Sequence, residues 1–290
     1  MTVANGFIGL TKKAAGILAL CAALWLGAQD THARPLDDIV EDGTIIIAVY
    51  RDFPPFSYHR DGELVGIDVE LGRVIAERLG VDPSFMLVTA DETMDDDLRN
   101  VVWKGHFLRR EVADLMLHVP IDRQLAMRNN MAAFFAPYFK REFALAYDPE
   151  WIESDPDPTV FMTEKVAVEL DSLPDFYLSS AYGGQLRENV VHYNTVKAAT
   201  QALVEGEVVA VVSTRSEIEA GLGPDLGRFG LGSMDMTGFG QPTWVVGIAV
   251  DLESRDVGYA VEDVIAAEIT SGGLERIFSD YGISYRSPLD

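Results

Sequence analysis

Short apolar runs alternate along the chain with longer segments in which apolar residues recur every three or four positions. The run Thr44–Tyr50 is almost wholly apolar and lies between Asp42-Gly43 and the pair Pro54-Pro55. Such a run, bounded by turn residues, is typical of a strand buried on both faces of a sheet. It therefore favours a parallel sheet covered by helices.

A helix with one apolar face follows this strand. Leu71, Ile75 and Leu79 have helical spacing, and we expect Asp68 to cap the start of the helix and Gly80 to end it. A second apolar run at 84–89 comes next. Strand, helix and strand of these lengths predict a right-handed βαβ unit.

The same alternation continues to the end of the chain. Further strands are predicted at 112–119, 143–147, 165–170, 208–214 and 244–250, and helices near 195–205, 255–271 and 273–281. Two composition breaks interrupt it, an Asp- and Pro-rich stretch at 148–164 and a Gly-rich stretch at 221–242. We interpret them as flanking a middle segment inserted into an outer α/β domain, which gives two lobes joined by two crossings.

The N-terminus predicts export. Lys12-Lys13 precede the apolar stretch 14–28, which is too short for a membrane span and fits a secretory signal peptide. We expect residues 1–33 to be removed by cleavage before Arg34, with Ala28 as the fallback site, and the mature chain to be periplasmic. Cys21, the single cysteine, lies within that segment, so no disulfide is expected.

The chain is strongly acidic, with 23 Lys and Arg against 46 Asp and Glu and a net charge of -23. Nucleic acid and anionic membrane surfaces would repel such a protein, whereas a basic protein partner would be attracted to it. The alternative is that the charge serves solubility alone.

Several segments together resemble the extracellular solute-binding proteins of family 3. They are "GTIIIAVYRDFPPFSY" (43–58), "GELVGIDVELGRVIAERLGV" (62–81), "FFAPYF" (134–139) and the return strand within 244–250. The resemblance implies an α/β fold of the type II periplasmic-binding-protein class, a two-lobed clamp. Each lobe would be a mostly parallel sheet flanked by helices, with 36–146 plus 242–290 as lobe 1 and 147–241 as lobe 2.

The resemblance also implies a ligand cleft between the lobes. At the position of Arg123 the amino-acid-binding members hold the ligand carboxylate with an arginine, a geometry that suits guanidinium. The alternative is that Arg123 pairs with Asp122 or a neighbouring carboxylate. The cleft residues implied are Asp52, Phe53, Phe56, Tyr58, His118, Pro120, Arg123, Glu169, Ser172, Thr214 and Arg215. Phe56 has core packing as its alternative role.

The usual amino-acid-binding set is incomplete in this chain. His118 and Pro120 stand where hydroxyl residues accompany the arginine, and 213–215 reads Ser-Thr-Arg where an acidic residue would receive the ligand ammonium. An ammonium buried without a carboxylate costs several kcal/mol. A standard amino-acid receptor is therefore not expected.

A narrower resemblance concerns the insertion Trp103-Lys104-Gly105-His106 and the strand end His118-Val119-Pro120. Both look like the quinoprotein-dehydrogenase-associated branch, the J proteins (MoxJ and XoxJ) of methanol oxidation. This implies a non-catalytic accessory protein whose partner is a periplasmic methanol dehydrogenase. The partner would carry pyrroloquinoline quinone (PQQ) with calcium or a lanthanide, and this chain no cofactor of its own. Trp103, Lys104 and His106 would contact that partner, unless Trp103 only anchors the loop.

Two other functions are kept as alternatives. One is a transporter receptor for an atypical small anion; the other is a cleft enzyme like the cyclohexadienyl dehydratases, with Glu169 as general acid beside Arg123. No metal site is expected, since the acidic stretch 89–97 lacks the spacing of a calcium loop. The histidines show no metal-ligand spacing, and no Gly-x-Ser-x-Gly elbow is present.

Overall fold

The computed structural model describes residues 33–108, 110–152, 156–234, 236, 238 and 241–289. The predicted signal peptide, apart from its last residue, lies outside these ranges. Within them, no helix combines the length and the apolar character needed to cross a membrane.

Helices and strands alternate through most of the chain. The strands are β1 Thr44–Tyr50, β2 Tyr58–Arg60, β3 Glu63–Val65, β4 Asp82–Val88, β5 Leu115–Pro120, β6 Ala132–Tyr147, β7 Val166–Glu169, β8 Val190–Tyr193, β9 Ala210–Thr214, β10 Gly230–Ser233 and β11 Thr243–Asp251. The helices are α1 Leu36–Asp42, α2 Ile67–Leu79, α3 Met94–Leu98, α4 Arg123–Arg128, α5 Leu173–Gly184, α6 Val196–Val204, α7 Arg215–Leu222, α8 Arg255–Ser271 and α9 Gly273–Asp280. A π-helical turn, Arg99–Trp103, follows α3.

Nine of the described strands form one mixed sheet in the order β4-β1-β5-β11-β6-β9-β7-β8, with β10 beside β6. Strand β1 pairs in parallel with β4 and β5, and β7 pairs in parallel with β8 and β9. The predicted βαβ arrangement and the α/β fold class are thereby confirmed. Strands β6 and β11 run antiparallel to their neighbours and join the two parallel groups.

Strand β6 is the longest element of the sheet and passes from one packing unit to the other. Its first part pairs with β11, and Phe143–Tyr147 pair with β9. Phe143 and Leu145 pack in a separate apolar cluster from Phe135 and Phe139. Strand β6 thus passes from the first unit to the second between Phe139 and Phe143. This is a few residues before the boundary at 146/147 predicted from the sequence.

The start of α2 differs from the prediction. Gly66, with φ 134°, occupies the position before the helix, and a Cβ there would overlap the carbonyl oxygen of Phe56. Only glycine tolerates this close approach. Asp68 is not the cap; it lies in the first turn and is buried, at 1% exposure, which makes it available for a buried network described below.

Other differences concern strands whose pattern is ambiguous in isolation. The predicted strand 112–119 begins only at Leu115, and "FFAPYF", which had no predicted element, forms the first half of β6. The predicted strand 143–147 is its second half. Pro137 is tolerated there because the register of β6 against β11 shifts between Val246 and Ile248.

Candidate functional site

The carboxyl ends of several strands meet at one buried side chain, that of Arg141 in the middle of β6. The segment after β1 contributes Phe53 and Phe56, the end of β5 contributes His118, and the end of β9 contributes Thr214. Open α/β sheets place their ligands at this edge. The arrangement therefore identifies the candidate cleft.

The guanidinium of Arg141 lies among three aromatic rings. Its Cζ atom is 5.2 Å from the ring centroids of both Phe53 and Phe56 and 5.3 Å from that of Trp244. Arg141 is 8% exposed. These distances are within the range of cation–π attraction, which is strongest when the cation is removed from water.

Polar contacts complete the surroundings of this guanidinium. Nη1 lies 3.3 Å from Nε2 of His118, Nη2 donates to Oγ1 of Thr214 at 3.0 Å, and Nη2 lies 3.5 Å from Oε2 of Glu217. Burial lowers the pKa of Arg141, against the attraction of Glu217 and Asp68. Its Nε is buried and donates to no acceptor in the described residues.

A buried network fixes the orientation of His118. Asp68 accepts from the Tyr138 hydroxyl at 2.7 Å and lies 2.9 Å from Nδ1 of His118, while the Tyr138 oxygen accepts from the His118 amide at 3.0 Å. Burial lowers the pKa of His118, so the ring is neutral near pH 7. With its proton on Nδ1, facing Asp68, His118 presents the lone pair of Nε2 to Arg141.

Carboxylates from the second unit line the other side of the candidate site. Glu217 accepts hydrogen bonds from the hydroxyls of Ser213 and Thr214. Burial, and secondarily the charge of Glu217, raise the pKa of Glu169. Glu217 thus places negative charge beside Arg141, and the raised pKa of Glu169 means that this carboxyl holds a proton more readily than an exposed glutamate.

Ion pairs beside the candidate site connect the two units. Nε of Arg215 donates to Oε1 of Glu142 at 2.5 Å, and Arg286 lies 3.7 Å from the same oxygen. Glu219 accepts from the Ser284 amide at 2.8 Å. Arg215, predicted as a cleft residue, is therefore part of a bridge between α7, β6 and the C-terminal segment.

Some of the predicted cleft residues contact Arg141 and others do not. Phe53, Phe56, His118 and Thr214 contact Arg141, with Phe56 also fully buried in the core, and Glu169 lies near Glu217. Four others lie apart from Arg141. Asp52 is exposed, and Tyr58, Pro120 and Ser172 are half-buried. The Ser172 hydroxyl caps α5 by accepting from the Asp175 amide.

Arg123 is not part of this buried group. It is the first residue of α4 and is exposed. Its predicted alternative partner, Asp122, instead caps the helix by accepting from the Leu125 amide at 2.8 Å. Among the described residues no ion pair to Arg123 is formed. Its role toward a ligand carboxylate stays a prediction.

Sequence reasoning missed Arg141, the residue at the centre of the site. The signal was present, because Lys140-Arg141-Glu142 interrupts an otherwise apolar stretch. The predicted strand begins only at Phe143, so these three charged residues lie outside the predicted elements. A charged residue inside a central strand is costly to bury unless it is paired, and such residues are often functional.

The predicted partner-contact residues surround the π-helical turn. Trp103 packs partly against an apolar cluster of the first unit, and its Nε1 is buried, which favours the anchoring role. Lys104 is exposed and His106 is half-buried. The most exposed apolar side chains here are the neighbouring Phe107 and Leu108, at 78% and 75%, which the prediction did not include.

No group of three or more His, Cys, Asp or Glu side chains suited to a metal occurs in the part of the chain that the structure describes. Carboxylates of the acidic stretch 89–97 instead accept hydrogen bonds from other segments of the first unit. Asp95 accepts from Arg128 and Asn129, and Asp97 accepts from the Tyr50 hydroxyl at 2.7 Å.

Comparison with known proteins finds a family model that matches part of the first unit. Residues 45–102 match the model of the bacterial extracellular solute-binding proteins, family 3. The family 3 resemblance is confirmed over this segment. The matched segment carries Phe53, Phe56 and Asp68, whereas Arg141 and its partners Trp244 and Glu217 lie outside it.

Solved structures of solute-binding proteins share the fold of nearly the whole described chain. An ancestral cationic amino acid solute-binding protein has a TM-score of 0.68 at 16% identity, covering 85% of this chain and 99% of its own. A mutant of ArgBP from T. maritima has a TM-score of 0.55 at 22% identity, with 85% and 98% covered. These neighbours confirm the predicted type II clamp fold.

One curated relative of part of the chain is an enzyme. A cyclohexadienyl dehydratase of Pseudomonas aeruginosa is 35% identical over 92 residues, which are 29% of this chain and 33% of that protein. The alignment thus spans about a third of the relative's length.

Proposed function

We propose that this chain is a periplasmic accessory protein of a PQQ-dependent methanol dehydrogenase, which it binds and assists in activation or maturation without catalysing a reaction. The dehydrogenase would carry the quinone with calcium or a lanthanide. The proposal rests on the resemblance of the insertion and of the β5 end to the J proteins, and on one structural observation that argues against an ordinary receptor.

That observation is that the Arg141 side chain is buried among the residues of the candidate cleft. A receptor needs an empty cleft that closes on its solute, yet here a protein side chain contacts the aromatic and polar residues of both units. The guanidinium has its charge partner in Glu217, 3.5 Å away. A free amino acid would have to displace this buried group and leave its charge unpaired, which costs several kcal/mol.

The surface supports binding to another protein. Phe107 and Leu108 are exposed in the same segment as Lys104 and His106, and exposed apolar side chains with a polar rim are typical of protein contacts. The chain's net charge of -23 favours a partner surface that is basic.

The direct test is binding of purified methanol dehydrogenase to the tagged chain 34–290. We expect a complex at low salt that weakens as salt is added. Replacing both Phe107 and Leu108 by Ser should weaken binding at least tenfold with the melting temperature unchanged. The exposed pair Trp151 and Phe176, changed to Ser, is the matched control. No complex at any salt concentration would refute the proposal.

A cleft enzyme is the second candidate, favoured by the raised pKa of Glu169 and by the partial match to a cyclohexadienyl dehydratase. A carboxylic acid that stays protonated can donate a proton to a leaving group. Turnover of a cyclohexadienyl substrate such as prephenate, lost in Glu169→Gln, would establish it. We expect no turnover.

A transporter receptor for a small anion is the remaining candidate. Binding to the folded state alone must raise the melting temperature in proportion to ligand saturation. A rise in melting temperature with a small carboxylate, lost in Arg123→Ala, would support the receptor function. It would also show that Arg123 binds the ligand.

A further inference from the structure

We infer that the space between the two units is a guanidinium-binding site whose occupant is the protein's own Arg141. A variant without this side chain should bind free guanidinium and small alkylguanidinium cations there. The inference goes beyond the accessory function and does not depend on the dehydrogenase.

The apolar part of the site has the geometry that a flat cation requires. Three rings from two segments, Phe53 and Phe56 after β1 and Trp244 on β11, lie at 5.2 to 5.3 Å from Cζ of Arg141. The rings of Phe53 and Phe56 also contact each other, with centroids 5.2 Å apart. Aromatic faces arranged around one point bind cations through their quadrupoles, and guanidinium stacks on them better than ammonium does.

The polar part of the site faces Arg141 with acceptors. His118 is oriented by Asp68 so that Nε2 carries the lone pair, Thr214 offers its hydroxyl oxygen at 3.0 Å, and Glu217 offers a carboxylate oxygen at 3.5 Å. A site lined by acceptors and a negative charge selects a cationic donor over an anion or a neutral acceptor.

The acceptors come from both units, as they would around a bound solute. His118 ends β5 in the first unit, whereas Thr214 and Glu217 belong to β9 and α7 in the second. Arg141 lies on β6, the strand that both units share, so its backbone needs no displacement to place the guanidinium between them. The side chain thus supplies the contacts between the units that a free solute supplies in a receptor.

The unpaired Nε of Arg141 shows that attachment to the backbone prevents the guanidinium from making all its hydrogen bonds. This nitrogen is buried and donates to no described acceptor, because the chain of Arg141 fixes the orientation of the fork. A free guanidinium ion carries a further amino group in that place and can rotate. The site should therefore also bind a guanidinium ion that is not attached to the Arg141 backbone.

The test uses the Arg141→Ala variant of the chain 34–290 and guanidinium chloride at millimolar concentrations. We expect saturable binding by calorimetry and a rise in melting temperature that potassium chloride does not produce. In wild type and in Arg123→Ala the side chain of Arg141 still occupies the site. Both should bind guanidinium at least tenfold more weakly than Arg141→Ala. Methylguanidinium should bind as well, whereas methylammonium should not.

Glu217→Gln in the Arg141→Ala background should weaken guanidinium binding at least tenfold, because it removes the charge that faces the site. If Arg141→Ala alone does not fold, refolding in millimolar guanidinium, but not in methylammonium, should restore the folded chain. Folded Arg141→Ala that binds guanidinium no better than wild type would overturn the inference. So would failure of guanidinium to restore an unfolded variant.

Discussion

The hydroxyl of Tyr138 offers a sharp test of the network that holds His118 toward Arg141. Tyr138 is fully buried, donates to Oδ1 of Asp68 at 2.7 Å and accepts from the His118 amide at 3.0 Å. Tyr138→Phe removes one oxygen and keeps the ring, so packing changes little. The effect therefore measures the two hydrogen bonds.

The magnitude follows from the two partners that remain. A hydrogen bond to a buried carboxylate contributes about 1.5–3 kcal/mol, and a buried amide left without an acceptor costs about 1–3 kcal/mol. The two effects overlap because Asp68 keeps its contact with His118. We expect Tyr138→Phe to lower the free energy of unfolding by about 3 kcal/mol, which corresponds to a fall in melting temperature of about 6–12 °C.

Urea unfolding of the chain 34–290, followed by circular dichroism, measures this loss. Tyr193→Phe is the matched control, because its hydroxyl donates to Glu207 at 3.3 Å near the surface; we expect a change below about 0.5 kcal/mol. If the two variants differ from each other by less than about 0.5 kcal/mol, the two hydrogen bonds of Tyr138 do not stabilise the fold.

Three further predictions concern stability. Gly258→Ala should lose about 1–3 kcal/mol, since a Cβ would overlap a phenylalanine ring of β6, whereas Gly227→Ala, with open space around its Cα, should be nearly neutral; equal urea midpoints would contradict this. Arg34→Ala should lose about 3 kcal/mol, because Asp114, 2% exposed, loses a bidentate partner; a loss below about 0.5 kcal/mol in the same assay would show that the pair contributes little. The pKa of His118 is lowered in the folded state from its ordinary value of 6.5. As the pH falls below 6.5, the unfolded state therefore binds protons that the folded state does not. Stability present above that pH is lost as the pH falls, by at most about 1.4 kcal/mol per unit; His118→Gln should show a shallower loss between pH 7 and 5.5, and an unchanged slope would argue against a buried neutral histidine.

The local elements and the general fold could be predicted from the sequence alone. Buried parallel strands have continuous apolar runs, and helices such as Arg255–Ser271 have a one-sided pattern closed by glycine, here Gly272. These are properties of the residues near one another in the chain, so β1 and α8 could be predicted within a residue or two. The aromatic residues Phe53 and Phe56 could be placed in the cleft through the family resemblance.

The side chain that fills that cleft could not be predicted from the sequence, because its position depends on how distant segments pair. Arg141 is a charged residue outside the predicted elements, yet pairing of β6 with β11 and β9 places it in the centre of the sheet. Asp68 has the residue type of a helix cap, yet its neighbours Tyr138 and His118 come from 70 and 50 residues away. Burial and charge pairing depend on contacts between distant segments, and no local pattern in the chain specifies them.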